Sequence, residues 1–167
     1  MIKIVALREA FIPPVKATTF SAGYDLSSPV AAQIAPGQTI KIPLGFFIDA
    51  DVGRGTDYFF MVVSRSGLAS KGIVVANAPG IIDFDYRGEV CVLLYNRGSD
   101  FYEISAGDRI AQLVIMRHEV FEIEGTKTQS NVRGTGGFGS TGLSEIQSTR
   151  QQTLFDNQSF YEGTSTV

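Results

Sequence analysis

Apolar residues along this chain come in short bursts. Ile2 to Leu7, Gln38 to Ala50, Tyr58 to Ser64, Ile73 to Ala76, Glu89 to Asn96 and Arg109 to Ile123 are rich in β-branched and aromatic side chains. Turn chemistry lies between them, at Pro36-Gly37, Asn96-Arg97-Gly98-Ser99 and Ala106-Gly107-Asp108. Such bounded runs predict short strands rather than helices. No stretch keeps a 3.6-residue apolar period with good caps, so helix is expected to be scarce. The one candidate is a turn or two near Ser66 to Lys71. Val90 to Tyr95 is apolar almost throughout, which predicts a strand covered on both faces, in a core or a subunit interface. Many short strands separated by turns predict an all-β sandwich or barrel.

The pattern changes after about residue 124. Residues 126 to 142 read TKTQSNVRGTGGFGSTG, with little to bury, and 143 to 167 are rich in Ser, Thr, Gln and Asn. The expected organisation is a compact body over 1–124, a glycine-rich arm over 125–142 and a polar C-terminal extension over 143–167. Composition sharpens this picture only in places. With 44% hydrophobic residues in 167, one domain can bury a proper core. A net charge of -3 argues against duplex DNA or RNA, where phosphate neutralisation supplies most of the affinity. It leaves room for a nucleotide, which needs a few local cations and a metal. The single cysteine, Cys91, allows no intrachain disulfide and fits a reducing compartment. The opening MIKIVALREAFIPPVK does not read as a signal peptide, and no span approaches the ~20 apolar residues of a membrane helix. The expectation is a soluble intracellular protein of cytoplasm or nucleus, with no membrane partner.

Five segments carry candidate chemistry, and each also has a plainer reading. AGYDL (22–26) presents Asp25 as a turn residue or a ligand. In SRSGLASKG (64–72), Arg65, Ser66 and Gly67 sit at the expected helix start, where free N–H groups favour phosphate and Arg adds a donor fork. The plainer reading is a surface loop with an ordinary cap. NAPGIIDFDYRGEV (77–90) places Asp83 and Asp85 in alternation with apolar residues. On a strand or hairpin they point to opposite faces, so at most one is expected to act on a given substrate. Asp83, after Ile81 and Ile82, suits a carboxylate that orients and deprotonates a water; a charged turn is the alternative. GDRIAQL (107–113) reads as a turn with an Asp108–Arg109 ion pair, followed by Gln112 on an apolar strand. RGTGGFGSTG (133–142) lacks the lysine of a Walker A loop. Its glycines allow N–H groups to approach phosphate, and Phe138 offers a face for a flat ligand.

In this order and spacing the five segments resemble the five motifs of the trimeric dUTPase family, over about residues 2 to 142. The resemblance implies a distorted jelly-roll-type β-barrel with one short helix, a homotrimer with shared active sites, dUTP as substrate and Mg²⁺ as cofactor. It implies that Asp83 positions the attacking water and that Tyr86 packs on deoxyribose, leaving no room for a 2′-hydroxyl. Asn77, Gly80, Ile81, Ile82 and Asp83, with Cys91, match the hairpin that reads uracil mainly through backbone groups. Arg65, Ser66 and Gly67 match the phosphate segment, and Gln112 the glutamine near phosphates and water. Asp25 resembles the aspartate that holds Mg²⁺ through water. Arg133 resembles the arm arginine on the γ-phosphate, Phe138 the aromatic that covers uracil, and Gly139, Ser140 and Thr141 the phosphate-wrapping part of the arm. The chain departs from the family pattern at Ser64, where a proline is usual, at Ala78-Pro79, and in the extension 143–167. Two rival readings are a dCTP deaminase-like enzyme of the same fold, with Glu89 as the nearby glutamate, and a nucleotide-gated protein-binding module.

Overall fold

The computed structural model describes residues 2–50, 57–119 and 121. They form eleven strands and one helical turn: β1 (Ile2–Ala6), β2 (Gly23–Ser27), β3 (Ala32–Ile34), β4 (Thr39–Pro43), β5 (Phe46–Ala50), β6 (Tyr58–Val63), α1 (Ser66–Ala69), β7 (Ile73–Val75), β8 (Gly80–Ile82), β9 (Cys91–Asn96), β10 (Tyr102–Ile104) and β11 (Arg109–Arg117). The predicted arm residues Arg133, Phe138, Gly139, Ser140 and Thr141, and the extension 143–167, lie outside the described residues.

All strand pairs are antiparallel. A four-stranded sheet runs β2-β11-β6-β8 and a three-stranded sheet β4-β9-β7, with two-stranded pairs β1-β5 and β10-β3. Alternation does the sorting. In β6, Phe60 and Val62 are buried, and their neighbours Phe59, Met61 and Val63 face the other way. In β9, Val92, Leu94 and Asn96 are buried and Cys91, Leu93 and Tyr95 are half-buried. The strand predicted to be covered on both faces is therefore fully buried on one face within this chain. Leu26, Ile42, Phe46, Ile48, Phe60, Ile73, Leu94 and Ile110 belong to one apolar core, each 2% exposed or less. Burying each such side chain contributes about 1.5–3 kcal/mol before entropy is counted.

The run Gln38 to Ala50 is two strands rather than one. Gly45 sits between β4 and β5 with φ +77°, a left-handed conformation that suits glycine and breaks the pleat. The strand or hairpin expected within 77–90 is realised only as the short β8, while β2, β3 and β10 carry no such expectation: β3 and β10 are three residues long, and GYDLS is too polar for the apolar pattern to register.

Candidate active site

Three of the sequence-predicted site residues, Asp25, Arg65 and Gln112, meet on the outer face of the four-stranded sheet, joined there by Arg109. Asp25 on β2 stands opposite Gln112 on β11, which in turn stands opposite Val63 at the end of β6. Two residues beyond Val63 the chain turns into α1, with Arg65 in extended geometry (φ -87°, ψ 135°) as its N-terminal cap residue. The Arg65 Nε donates to Asp25 Oδ1 at 2.9 Å, and its Nη1 donates to the carbonyl of Arg109 at 2.9 Å. Arg109 Nη1 donates to Asp25 Oδ2 at 3.1 Å, and Gln112 Nε2 to Oδ1 at 3.3 Å.

Asp25 is only 3% exposed, so its charge requires these partners. Its backbone is also clamped by two hydrogen bonds to Val15, at 3.2 and 2.7 Å. The expected Asp108–Arg109 ion pair does not match what forms. Asp108 Oδ2 instead accepts the N–H of Ser105 and closes the turn. Arg109 is aimed across the sheet at Asp25, a partner 84 positions away that no local spacing reveals. Ser66 and Gly67 are exposed, and a Cβ at Gly67 would meet no atom within 4 Å. Beside them opens a cleft of about 490 Å³ lined in part by Arg65, Gly67, Lys71, Asp108 and Arg109. Lys71 was not singled out from the sequence; only the fold brings it to Arg109.

A second set of predicted residues gathers around the segment after β8. The alternation assumed for Asp83 and Asp85 stops at Ile82, where the strand ends. Asp83 to Tyr86 is a turn, with the Tyr86 N–H donating to the Asp83 carbonyl at 3.1 Å. The two aspartates therefore occupy turn positions, and the opposite-faces argument does not apply to them. Phe84 goes inward between them, stacked on Phe60 with ring centroids 6.3 Å apart and planes 7° from parallel. Arg87 fastens the turn to β5: its guanidinium donates to the carbonyls of Phe84 at 2.8 Å and Ala50 at 2.7 Å.

The expected uracil hairpin also differs in form. Ile73–Val75 pairs with β9 and Gly80–Ile82 pairs with β6, so residues 76–79 form a corner between two sheets. Asn77 is exposed there, and its side-chain amide lies against Gly80, 3.2 Å from where a Cβ would stand. The Ala78–Pro79 peptide is cis. Tyr86 and Cys91 converge on one acceptor. The phenol donates to the Glu89 carbonyl at 3.3 Å, and the thiol contacts the same oxygen at 3.6 Å. Burial pushes the Tyr86 phenol above its usual pKa, and the neighbouring Cys91 and Glu89 add to that. Burial likewise raises the Cys91 thiol, with Glu89 reinforcing.

The two sets lie apart in the fold. Ile82 opposes Phe60, three residues along β6 from Val63, and lies two strands from Gln112. At ~3.3 Å per residue and ~4.8 Å per strand, the Cα atoms of Ile82 and Gln112 are roughly 14 Å apart.

The family model for dUTPase matches residues 9–142. A deoxyuridine 5'-triphosphate nucleotidohydrolase of Desulfitobacterium hafniense is 42% identical over 152 residues, 86% of this chain and 97% of that protein. One from Anaplasma marginale is 44% identical over 147 residues, 84% and 97% respectively. Among solved structures, a point mutant of the dUTPase from phage phi11 of S. aureus, described with a structural Mg(II) ion, superposes with a TM-score of 0.66. It is 22% identical and covers 78% of this chain and 99% of its own. The architecture is thus an all-β, jelly-roll-type barrel with very little helix. With the family model spanning most of its length, the chain belongs to the dUTPase family.

Proposed function

We infer that this chain is a dUTP diphosphatase, hydrolysing dUTP to dUMP and pyrophosphate. The observation that carries this is the family match over residues 9–142, which takes in all five motif segments. Such an activity limits uracil incorporation into DNA and supplies dUMP for dTMP synthesis.

The geometry supports a division of labour. Arg65, Ser66, Gly67 and Gln112 are the phosphate-side groups. Arg65 is fixed by a buried carboxylate, so its remaining donors are pre-aimed, and exposed Gly67 leaves room for a ligand oxygen to approach the backbone. Asp83 holds and deprotonates a water in line with the α-phosphorus. The P–O bond from water forms as the bond to the pyrophosphate oxygen breaks, and pyrophosphate leaves with its electrons. Asn77 and the backbone from Gly80 to Asp83, with Cys91, bind uracil. Backbone groups set for O4 of uracil reject the amino group of cytosine, a mismatch of donors costing on the order of 10⁴-fold. Tyr86 packs on deoxyribose. Arg133, Phe138, Gly139, Ser140 and Thr141 close over phosphates and base, excluding bulk water.

Magnesium is the proposed cofactor. Among the described residues no cluster of three or more His, Cys, Asp or Glu is able to hold a metal. Asp25 accepts three side-chain bonds and retains lone-pair capacity for about one more. These residues fit a cation held chiefly by the triphosphate, with Asp25 reached through water. Bound there, Mg²⁺ supplies charge neutralisation on the non-bridging oxygens.

A homotrimer with shared sites is the proposed assembly. Asp83 and Gln112 need to reach one α-phosphate, and their separation within a chain favours sites completed by a second copy. The outer sheet face suits such contact. Met61 stands opposite both Val114 and Ile81, and Ile81 and Met116 are 55% and 38% exposed. The deaminase reading fares worse, because both Glu89 carboxylate oxygens are engaged, by Gly45 and Arg8. No described helix is long and apolar enough to cross a membrane.

The test is pyrophosphate release by purified protein with Mg²⁺. dUTP should turn over far faster than dTTP, dCTP or UTP. Ammonia release from dCTP, with dUTP left intact, would replace this reading by the deaminase one.

A further inference from the structure

Glu89 ties together three parts of the chain that meet beside Tyr86. Its Oε1 accepts the Gly45 N–H at 2.8 Å, and its Oε2 accepts Arg8 Nη2 at 2.7 Å. Gly45 turns the chain from β4 to β5, and its carbonyl accepts the Leu7 N–H at 2.7 Å. Phe11 then caps the same corner, edge-on to Phe46 at 5.6 Å. The N-terminal segment and the β4–β5 turn are therefore one unit, and the Glu89 carboxylate fastens the 83–91 loop to it.

The Glu89 carbonyl is the acceptor for the Tyr86 phenol. Below the ring lies Gly88, where a Cβ would collide with the Tyr86 hydroxyl and ring carbons. The ring is thus seated on two consecutive peptides, those of Gly88 and Glu89. Its position follows theirs. The next residue, Val90, is held independently: it is 1% exposed and exchanges backbone hydrogen bonds with Phe46 and Leu44 at 2.9 and 3.0 Å. Loss of the Glu89 carboxylate should therefore free the loop without opening the core.

We propose that Glu89 is a positioning residue for sugar selectivity: anchored by Arg8 and Gly45, it holds the Tyr86 ring where a ribose 2′-hydroxyl would otherwise fit. This rests on the deoxyribose-facing role of Tyr86 given above. With the anchor cut, the ring gains freedom to retreat and UTP gains access. A role confined to stability would lower the melting temperature and leave the choice between sugars alone.

The experiment is steady-state kinetics with dUTP and UTP on the full-length chain, wild type, Glu89→Ala, Glu89→Gln, Arg8→Ala and Tyr86→Ala, with melting temperatures alongside. In Glu89→Ala the ratio of kcat/KM for dUTP to that for UTP should fall on the order of tenfold, within what loss of one fitted contact can do. Glu89→Gln, which keeps an acceptor for Gly45, should recover most of the ratio, and Arg8→Ala should fall between. A folded Glu89→Ala with the wild-type ratio overturns the proposal. If that variant fails to fold, a wild-type ratio in Arg8→Ala overturns it. An unchanged ratio in Tyr86→Ala removes the sugar role itself and the proposal with it. Wild type that leaves dUTP intact instead defeats the functional reading.

Discussion

Around Asp25 the chain sets charge against charge on rigid strands: one carboxylate on β2, 3% exposed, gathers two guanidiniums and an amide from β11 and the start of α1. In the 83–91 loop the contacts are mostly backbone carbonyls and the stack of Phe84 on Phe60, and its own Arg87 and Glu89 pin it to β5 and to the β4–β5 turn. The difference matches what each end is proposed to hold. A triphosphate is recognised by charge and tolerates few geometries only if the cations are fixed beforehand. A base and sugar are recognised by shape and hydrogen-bond pattern, which a turn of defined backbone supplies.

Changes at the two ends should therefore fail in different ways. Asp83→Asn removes a base without altering size. It should lower kcat for dUTP by about 10²–10⁴-fold, the usual worth of a positioned base, while equilibrium binding of dUTP persists. Truncation before Arg133 should cost on the order of 10²-fold in kcat/KM through lost closure, while truncation before Leu143 should leave it unchanged. Asp25→Ala should act on the fold as well as the rate. It leaves Arg65 and Arg109 without their shared anion, and since both are partly exposed the loss should be about 2 kcal/mol in denaturant unfolding, below the 3–5 kcal/mol of a fully buried pair.

The smallest effect concerns pH. The Cys91 and Tyr86 values are both raised, from 9.0 and 10.0. The unfolded chain loses these protons first. Their contribution to stability is therefore complete below about pH 9 and declines as pH rises through the folded values. Alkylation of Cys91 by iodoacetamide at pH 8 should be slower in the folded protein than after denaturation. Equal rates would show the thiol to be unshielded.

Much of the body was legible as strand because β1, β6, β9 and β11 combine length with β-branched and aromatic residues. β3 (AQI) and β10 (YEI) were not, since three residues with a polar centre carry no apolar run and owe their pairing to each other across the chain. Gln38 to Ala50 looked continuous because composition does not report the left-handed Gly45. At the site, Asp25, Arg65 and Gln112 were named from motif resemblance, yet their convergence depends on the β2–β11–β6 register. The Arg109–Asp25 pair escaped notice for the same reason. Asp83 and Asp85 were misplaced on a strand because Phe84 keeps the apolar alternation going one step past the end of β8.

Subunit mixing tests most directly whether the two regions work on one substrate from different copies. Asp83→Asn and Arg65→Ala chains, each with little activity alone, should regain about a quarter of the wild-type rate when co-refolded at equal amounts, since random assembly pairs intact halves at that share of sites. Activity no higher than the average of the separate variants would contradict the shared site.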